Sequence, residues 1–72
     1  MRQVNIITNA EMIRLIKRHL HQEDMTAAAL ARAIGVNYQQ FHDMLTGRSP
    51  ITPKVARYFD FERLDYVFTK RR

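Results

Sequence analysis

Residues 26–47 constrain the fold of this chain more strongly than any other segment of its sequence. The run Ala27–Ile34 consists almost entirely of helix-favouring residues, and Gly35 follows it, as expected where a chain must adopt a left-handed conformation to leave a helix. A second helix can run over approximately Tyr38–Thr46, where Gly47 again ends it. The segment therefore predicts two short helices with a connection of only a few residues between them.

Start signals for helices precede both of these stretches and two others. The signals are a capping box formed by Thr8 and Glu11, the N-cap candidates Thr26 and Asn37, and Thr52 followed by Pro53. The first of these helices is predicted to end near residues 22–24, and its apolar side consists of Met12, Ile13, Ile16 and Leu20. The sequence thus predicts a mainly α fold.

Alternation near the C-terminus predicts a strand rather than a further helix. Leu64, Tyr66 and Phe68 recur at a period of two, in aromatic and β-branched company. A short partner strand is predicted at the other end of the chain, at Val4, Ile6 and Ile7.

Two short helices joined by a turn of three or four residues containing Gly form the helix-turn-helix unit, and residues 26–46 meet its demands. A small residue is needed where the helices cross, and Ala31 supplies it. Gly35 gives the turn a permissive backbone, Val36 anchors the turn to the core, and Phe41 holds the second helix down. The other positions expected to be buried are Leu30, Ile34, Met44 and Leu45.

On these residues the chain resembles the lambda-repressor and Cro-like helix-turn-helix family of phage and bacterial transcriptional regulators. The resemblance covers residues 25–61, and its motif runs from Thr26 through Phe41 and on through Leu45-Thr46-Gly47-Arg48. It implies one compact domain of four to five helices over residues 1–72, whose second motif helix enters the major groove of duplex DNA. It also implies a repressor that binds a near-palindromic operator as a homodimer.

The outer face of the second motif helix holds the candidates for reading DNA bases. If its apolar residues face the core, the opposite stripe is mostly polar and consists of Tyr38, Gln39, His42, Asp43 and Thr46. Gln40, which starts the helix with Tyr38, could also touch bases or phosphate. Gln39 is the strongest candidate, because a Gln amide can bond the edge of an adenine with two hydrogen bonds. Tyr38 could instead pack over the turn, and Asp43 could pair with an Arg rather than accept a hydrogen bond from cytosine.

Candidates for contacts with DNA phosphates lie at the helix starts and around the loop that follows the motif. They are Thr26, Asn37, Thr46, Arg48, Ser49 and Lys54. Arg48 is the strongest of them, whereas Lys54 could be an ordinary solvated charge. One position departs from the family pattern, since many members begin the first motif helix with a Gln that clamps a phosphate and this chain has Ala27. Backbone contacts are therefore expected to be weaker or to come from elsewhere.

Composition narrows the classes of function. Twelve Lys and Arg against seven Asp and Glu give a net charge of +5, which favours a polyanionic partner, although solubility alone would also account for it. The chain has no cysteine, and its histidines lack the spacing of a helical metal site, so we expect no metal, no cofactor and no enzymatic activity. No small-molecule substrate and no membrane are expected either, because no apolar run approaches the roughly 20 residues that cross a bilayer. The absence of a signal-peptide pattern predicts a cytoplasmic protein.

The C-terminal segment 61–72 is the predicted dimerisation segment and ends in basic residues. Its interface candidates are Phe61, Leu64, Tyr66 and Phe68, because the aromatic residues exceed what one small domain needs for its own core. The alternative is that Tyr66 and Phe68 fold back onto the first helix. Two rival functions also stay open. One is a DNA-binding antitoxin, and the other is a protein-interaction module without DNA binding, which Ala27 and Asp43 mildly favour.

Overall fold

A computed structural model describes residues 6–64 and 67–70, and this part of the chain is mostly helical with a small antiparallel sheet. Its four helices are α1 (Asn9–Gln22), α2 (Ala27–Ile34), α3 (Tyr38–Thr46) and α4 (Pro53–Tyr58). Its three strands are β1 (Ile6–Thr8), β2 (Phe61–Leu64) and β3 (Val67–Lys70). The predicted mainly α character is confirmed. Within the described ranges, no helix has the length and apolar character needed to cross a membrane.

The helices begin and end at the residues that signal their ends in the sequence. At the start of α1, the Thr8 hydroxyl accepts a hydrogen bond from the Glu11 amide at 3.2 Å, and the Glu11 carboxylate accepts one from the Thr8 amide at 2.8 Å. The predicted N-caps of the other helices also accept hydrogen bonds through their side chains, and they are Thr26, Asn37 and Thr52. Gly35 and Gly47 end α2 and α3 with φ angles of 92° and 86°. Each cap is worth about 1 kcal/mol, so local chemistry sets these boundaries.

The C-terminal tail forms two strands where the sequence pattern predicts one. Strands β2 and β3 pair antiparallel, with Leu64 opposite Val67. The alternation that joins Leu64, Tyr66 and Phe68 runs across the connection of this hairpin, so it does not reveal where the first strand ends. Tyr66 itself lies outside the described residues.

The predicted partner strand from the other end of the chain is present as β1. It pairs antiparallel with β3 and gives the sheet the order β1-β3-β2. Ile6 and Ile7 lie in this strand, while Val4 falls outside the described residues. The central strand is thus the last one in sequence, and it closes the domain by pairing with both neighbours.

One hydrophobic core joins the helices to the sheet. Its buried residues are Met12, Ile16, Leu30, Ala31, Ile34, Phe41, Met44, Leu45, Ile51, Val55, Ala56, Phe61 and Phe68. Phe61 and Phe68 are only 6% and 2% exposed, so they are core residues rather than surface available to a second subunit, which corrects their assignment as interface residues. Of the predicted interface set, Leu64 is 45% exposed and remains accessible.

Candidate nucleic-acid interface

Helix α3 divides into a buried face and an exposed face, as its sequence predicts. Phe41, Met44 and Leu45 are buried in the core. The other side chains of α3 are exposed, except for Asp43, which is partly buried, and the exposed ones are Tyr38, Gln39, Gln40, His42 and Thr46. The helix therefore presents hydrogen-bonding side chains outward on a backbone that the core holds in place.

Gln39 and Asp43 form a hydrogen-bonded pair on the exposed face. The Gln39 Nε2 donates to the Asp43 Oδ1 at 3.3 Å, one helical turn away. An amide nitrogen carries two hydrogens, so this bond leaves the second hydrogen and the Gln39 Oε1 for an outside partner. Asp43 thus orients the Gln39 amide, where the sequence left open a pairing of Asp43 with an Arg.

Tyr38 and His42 also lie one helical turn apart and contact each other through their rings. Their ring centroids are 5.9 Å apart, with an angle of 34° between the planes. Tyr38 is 49% exposed, so it lies beside His42 rather than being sequestered over the turn. The two rings form an exposed aromatic pair next to the Gln39 amide.

The turn at residues 35–37 holds α2 and α3 at a close crossing. Ala31 is 1% exposed at this crossing, where a larger side chain would separate the helices. The Ala31 carbonyl accepts hydrogen bonds from the amides of Gly35 at 2.8 Å and Val36 at 3.0 Å. Val36 packs partly buried against the core, in its predicted role.

Lys54, a predicted phosphate contact, is engaged within the protein. Its ammonium donates a hydrogen bond to the Gly35 carbonyl at 3.0 Å, although the side chain is exposed. A cation there complements the partial negative charge at the C-terminal end of α2. Lys54 therefore ties α4 to the turn, a role that could not be predicted from the sequence because 19 residues separate the two groups.

The two helix starts predicted to bind phosphate have exposed N-cap residues. The Thr26 hydroxyl accepts a hydrogen bond from Ala29 at 3.0 Å, and the Asn37 side chain accepts one from Gln40 at 3.2 Å. Their side-chain oxygens are therefore used for capping. What these helix starts can offer an anion is the amides of their first turn and the positive end of the helix dipole.

The start of the loop after α3 is held largely by one backbone carbonyl, that of Asp43. The Asp43 carbonyl accepts hydrogen bonds from the amides of Arg48 at 2.9 Å and Ser49 at 3.2 Å, and from the Thr46 hydroxyl at 3.2 Å. Thr46 therefore uses its hydroxyl hydrogen at the helix end. Arg48 is exposed and Ser49 partly buried, and both lie in the loop beside the C-terminal end of α3.

Arg63 is a candidate that sequence reasoning missed. It lies in β2 and, together with Asn9, Arg48 and Ser49, lines a pocket of about 340 Å³ at the end of α3. Its position two residues after the core residue Phe61 was the available signal, because residues two apart in a strand share a face. The spacing indicates a shared face only if residues 61–64 form a strand of their own, and the sequence pattern did not separate β2 from β3.

Ala27, the departure from the family pattern, is partly buried and packs against the core. Its side chain has no group that can bind a phosphate. Among the residues that the structure describes, no three His, Asp or Glu side chains cluster in a way that could hold a metal ion.

Comparisons of this chain with models of protein families, with curated proteins and with solved structures found no match.

Proposed function

We propose that this chain is a sequence-specific DNA-binding regulator of transcription that binds duplex DNA as a homodimer. The helices α2 and α3 with the turn between them would act as a helix-turn-helix unit, and α3 would lie in the major groove. The observation that carries the proposal is the division of α3 into an anchored apolar face and an outward face with Gln39, His42 and their neighbours. Such a helix offers rigid hydrogen-bonding groups to base edges, which is what direct readout requires.

The Gln39 side chain supports base reading in its chemistry as well as its exposure. Recognition of adenine uses the amide oxygen as an acceptor and one amide hydrogen as a donor. The bond to Asp43 uses one of the two amide hydrogens, so the amide oxygen and one hydrogen stay available for a base. Fixing the amide before binding also lowers the conformational entropy cost of association with DNA.

The charge distribution supports a polyanionic partner. The chain carries +5, and Arg48 lies exposed two residues after the end of α3. Asp43 is the one acid on the outward stripe of α3, and its carboxylate has a partner in Gln39. The acid that favoured an interaction module without DNA binding thus has a role compatible with DNA binding.

A salt titration of binding to duplex DNA tests the proposal. We expect the logarithm of the association constant to fall linearly with the logarithm of salt concentration, with a slope set by roughly 5 to 8 phosphates per dimer at about 0.9 each. Fluorescence anisotropy would use labelled duplexes of random sequence and labelled duplexes selected from a random pool for binding to this protein. The titrations would supply both the salt slope and the ratio of the two affinities, which measures specificity. Absence of binding to any duplex at low salt would overturn the proposal and favour a protein-interaction module.

A further inference from the structure

The pocket at the C-terminal end of α3 brings together groups from three separate parts of the chain. Asn9 comes from the first turn of α1, Arg48 and Ser49 from the loop after α3, and Arg63 from β2. The remaining lining residues are Gly47, Pro50 and Phe68. The lining thus contains two guanidinium groups, and no carboxylate is found among the described residues that form it.

Arg63 occupies an unusual place for an arginine. It lies directly opposite Phe68 in the sheet and two residues from Phe61, and both of these are core residues. Arg63 therefore projects from the face of the sheet that packs on the helices, and its side chain is partly buried. A cation that loses part of its hydration at such a site is stabilised when an anion lies beside it.

Neither arginine is needed to neutralise the C-terminal end of α3. The amides of Arg48 and Ser49, together with the Thr46 hydroxyl, already donate to the Asp43 carbonyl there. The guanidinium groups are therefore not used as helix caps. A guanidinium is suited to hold an oxyanion, because its planar fork of N–H donors matches two oxygens of a phosphate.

The other polar groups of the pocket are also donors. The Asn9 Oδ1 accepts a hydrogen bond from the Ile51 amide at 3.4 Å, which leaves the Asn9 NH₂ group as its unused part. The Ser49 hydroxyl can donate as well. Asn9 is the first residue of the 14-residue helix α1, so its position is fixed by that helix.

From these groups we infer that the pocket binds a phosphate group through Arg48 and Arg63, and that in the complex with DNA a backbone phosphate occupies it. The inference rests on the proposed function for the source of the phosphate. It also offers a replacement for the clamp that Ala27 cannot provide, since the pocket would hold a DNA phosphate at the end of α3 instead of at the start of α2.

The test compares Arg63→Gln with Arg57→Gln, which removes an exposed arginine of α4 that does not line the pocket. Both variants lose one positive charge, so a general effect of charge on DNA binding is common to them. Circular dichroism melting establishes that each variant is folded. The first measurement is the slope of the logarithm of the association constant against the logarithm of salt concentration, for binding to a random-sequence duplex. The second is the change in amide NMR chemical shifts during titration with inorganic phosphate at constant ionic strength.

We expect Arg63→Gln to lower the magnitude of the salt slope by about 0.9 per protomer more than Arg57→Gln does. We also expect inorganic phosphate to shift the amides of Arg48, Ser49 and Arg63 in the natural chain, and to leave the first two unshifted in Arg63→Gln. If phosphate shifts these amides while the two variants bind DNA alike, the pocket holds a free phosphate-bearing molecule, and the DNA part of the inference is overturned.

The whole inference would be overturned if Arg63→Gln and Arg57→Gln gave identical salt slopes for DNA binding and inorganic phosphate left the pocket amides of the natural chain unshifted. The two proposals can also fail separately. If the natural chain binds no duplex but phosphate still shifts the pocket amides, the proposed function fails and the phosphate site stands.

Discussion

The helix pair and the sheet of this domain are specified in different ways. In residues 26–47, each helix boundary is set by a residue next to it, such as the N-cap Thr26 or the left-handed Gly35. In the sheet, strand β3 pairs with β1 from the opposite end of the chain, with Ile7 opposite Phe68. The helix boundaries of the first region are therefore set by local chemistry, whereas the complete sheet also requires segments from opposite ends of the chain to meet.

The comparison predicts that the sheet is essential to the single subunit rather than an attached dimerisation arm. Phe68→Ala should lower the free energy of unfolding by about 3–5 kcal/mol, because it empties a fully packed site between the sheet and the helices. Urea denaturation followed by circular dichroism measures this loss. An arm that served only to join subunits would instead leave the helical signal and its midpoint unchanged.

Leu64→Ala is the matched control, since Leu64 lies in the same hairpin but is 45% exposed. It should change the unfolding free energy of a dilute sample by no more than about 0.5 kcal/mol. Sedimentation equilibrium of this variant also tests the proposed homodimer, because Leu64 is the described member of the predicted interface that remains accessible. A destabilisation equal to that of Phe68→Ala would contradict the division between core and surface in the hairpin.

In DNA binding, the helix pair α2 and α3 should supply sequence specificity, through Gln39 on α3. Gln39→Ala should weaken binding to the selected duplex by about 1–3 kcal/mol and binding to random duplex very little, because it removes hydrogen bonds to a base edge and no positive charge. Anisotropy titrations on both duplexes measure the two effects. Equal weakening on the two duplexes would show that Gln39 does not read bases.

Asp43→Asn supplies a control for the orientation of Gln39. The Asn side chain keeps an oxygen that can accept from the Gln39 Nε2, so specificity should be retained while removal of the negative charge raises the affinity for random duplex. Asp43→Ala should raise that affinity equally and also reduce the specificity. If both variants keep full specificity, Asp43 acts only through its charge.

The limits of sequence-based prediction follow the same division. The caps at Thr8 and Asn37 and the buried face of α3 were predictable, because each depends on residues at most a few positions apart. The burial of Phe61 and Phe68 in the core was not predictable, because an aromatic residue in an alternating segment suits a core and an interface equally well. Arg63 was missed because the residues that form the pocket with it come from α1 and the loop after α3, which are distant in sequence.

The turn in the helix pair also accepts a hydrogen bond from a distant residue, Lys54, and substitutions of the two glycines can reveal its effect. Gly35→Ala and Gly47→Ala should each lower the free energy of unfolding by about 1–2 kcal/mol, because both positions have a left-handed φ that alanine adopts poorly. A Cβ at Gly47 would meet nothing within 4 Å, whereas one at Gly35 would lie 3.3 Å from the Lys54 Nζ. Gly35→Ala should therefore be slightly the more destabilising, because the Lys54 ammonium must shift while it stays hydrogen-bonded to the Gly35 carbonyl.

A Lys54→Met background is the control. There, the two glycine substitutions should lower the free energy of unfolding by equal amounts in urea denaturation. A difference that persists there would place its origin in the backbone of the turn, and the Lys54 contact would then have no part in it.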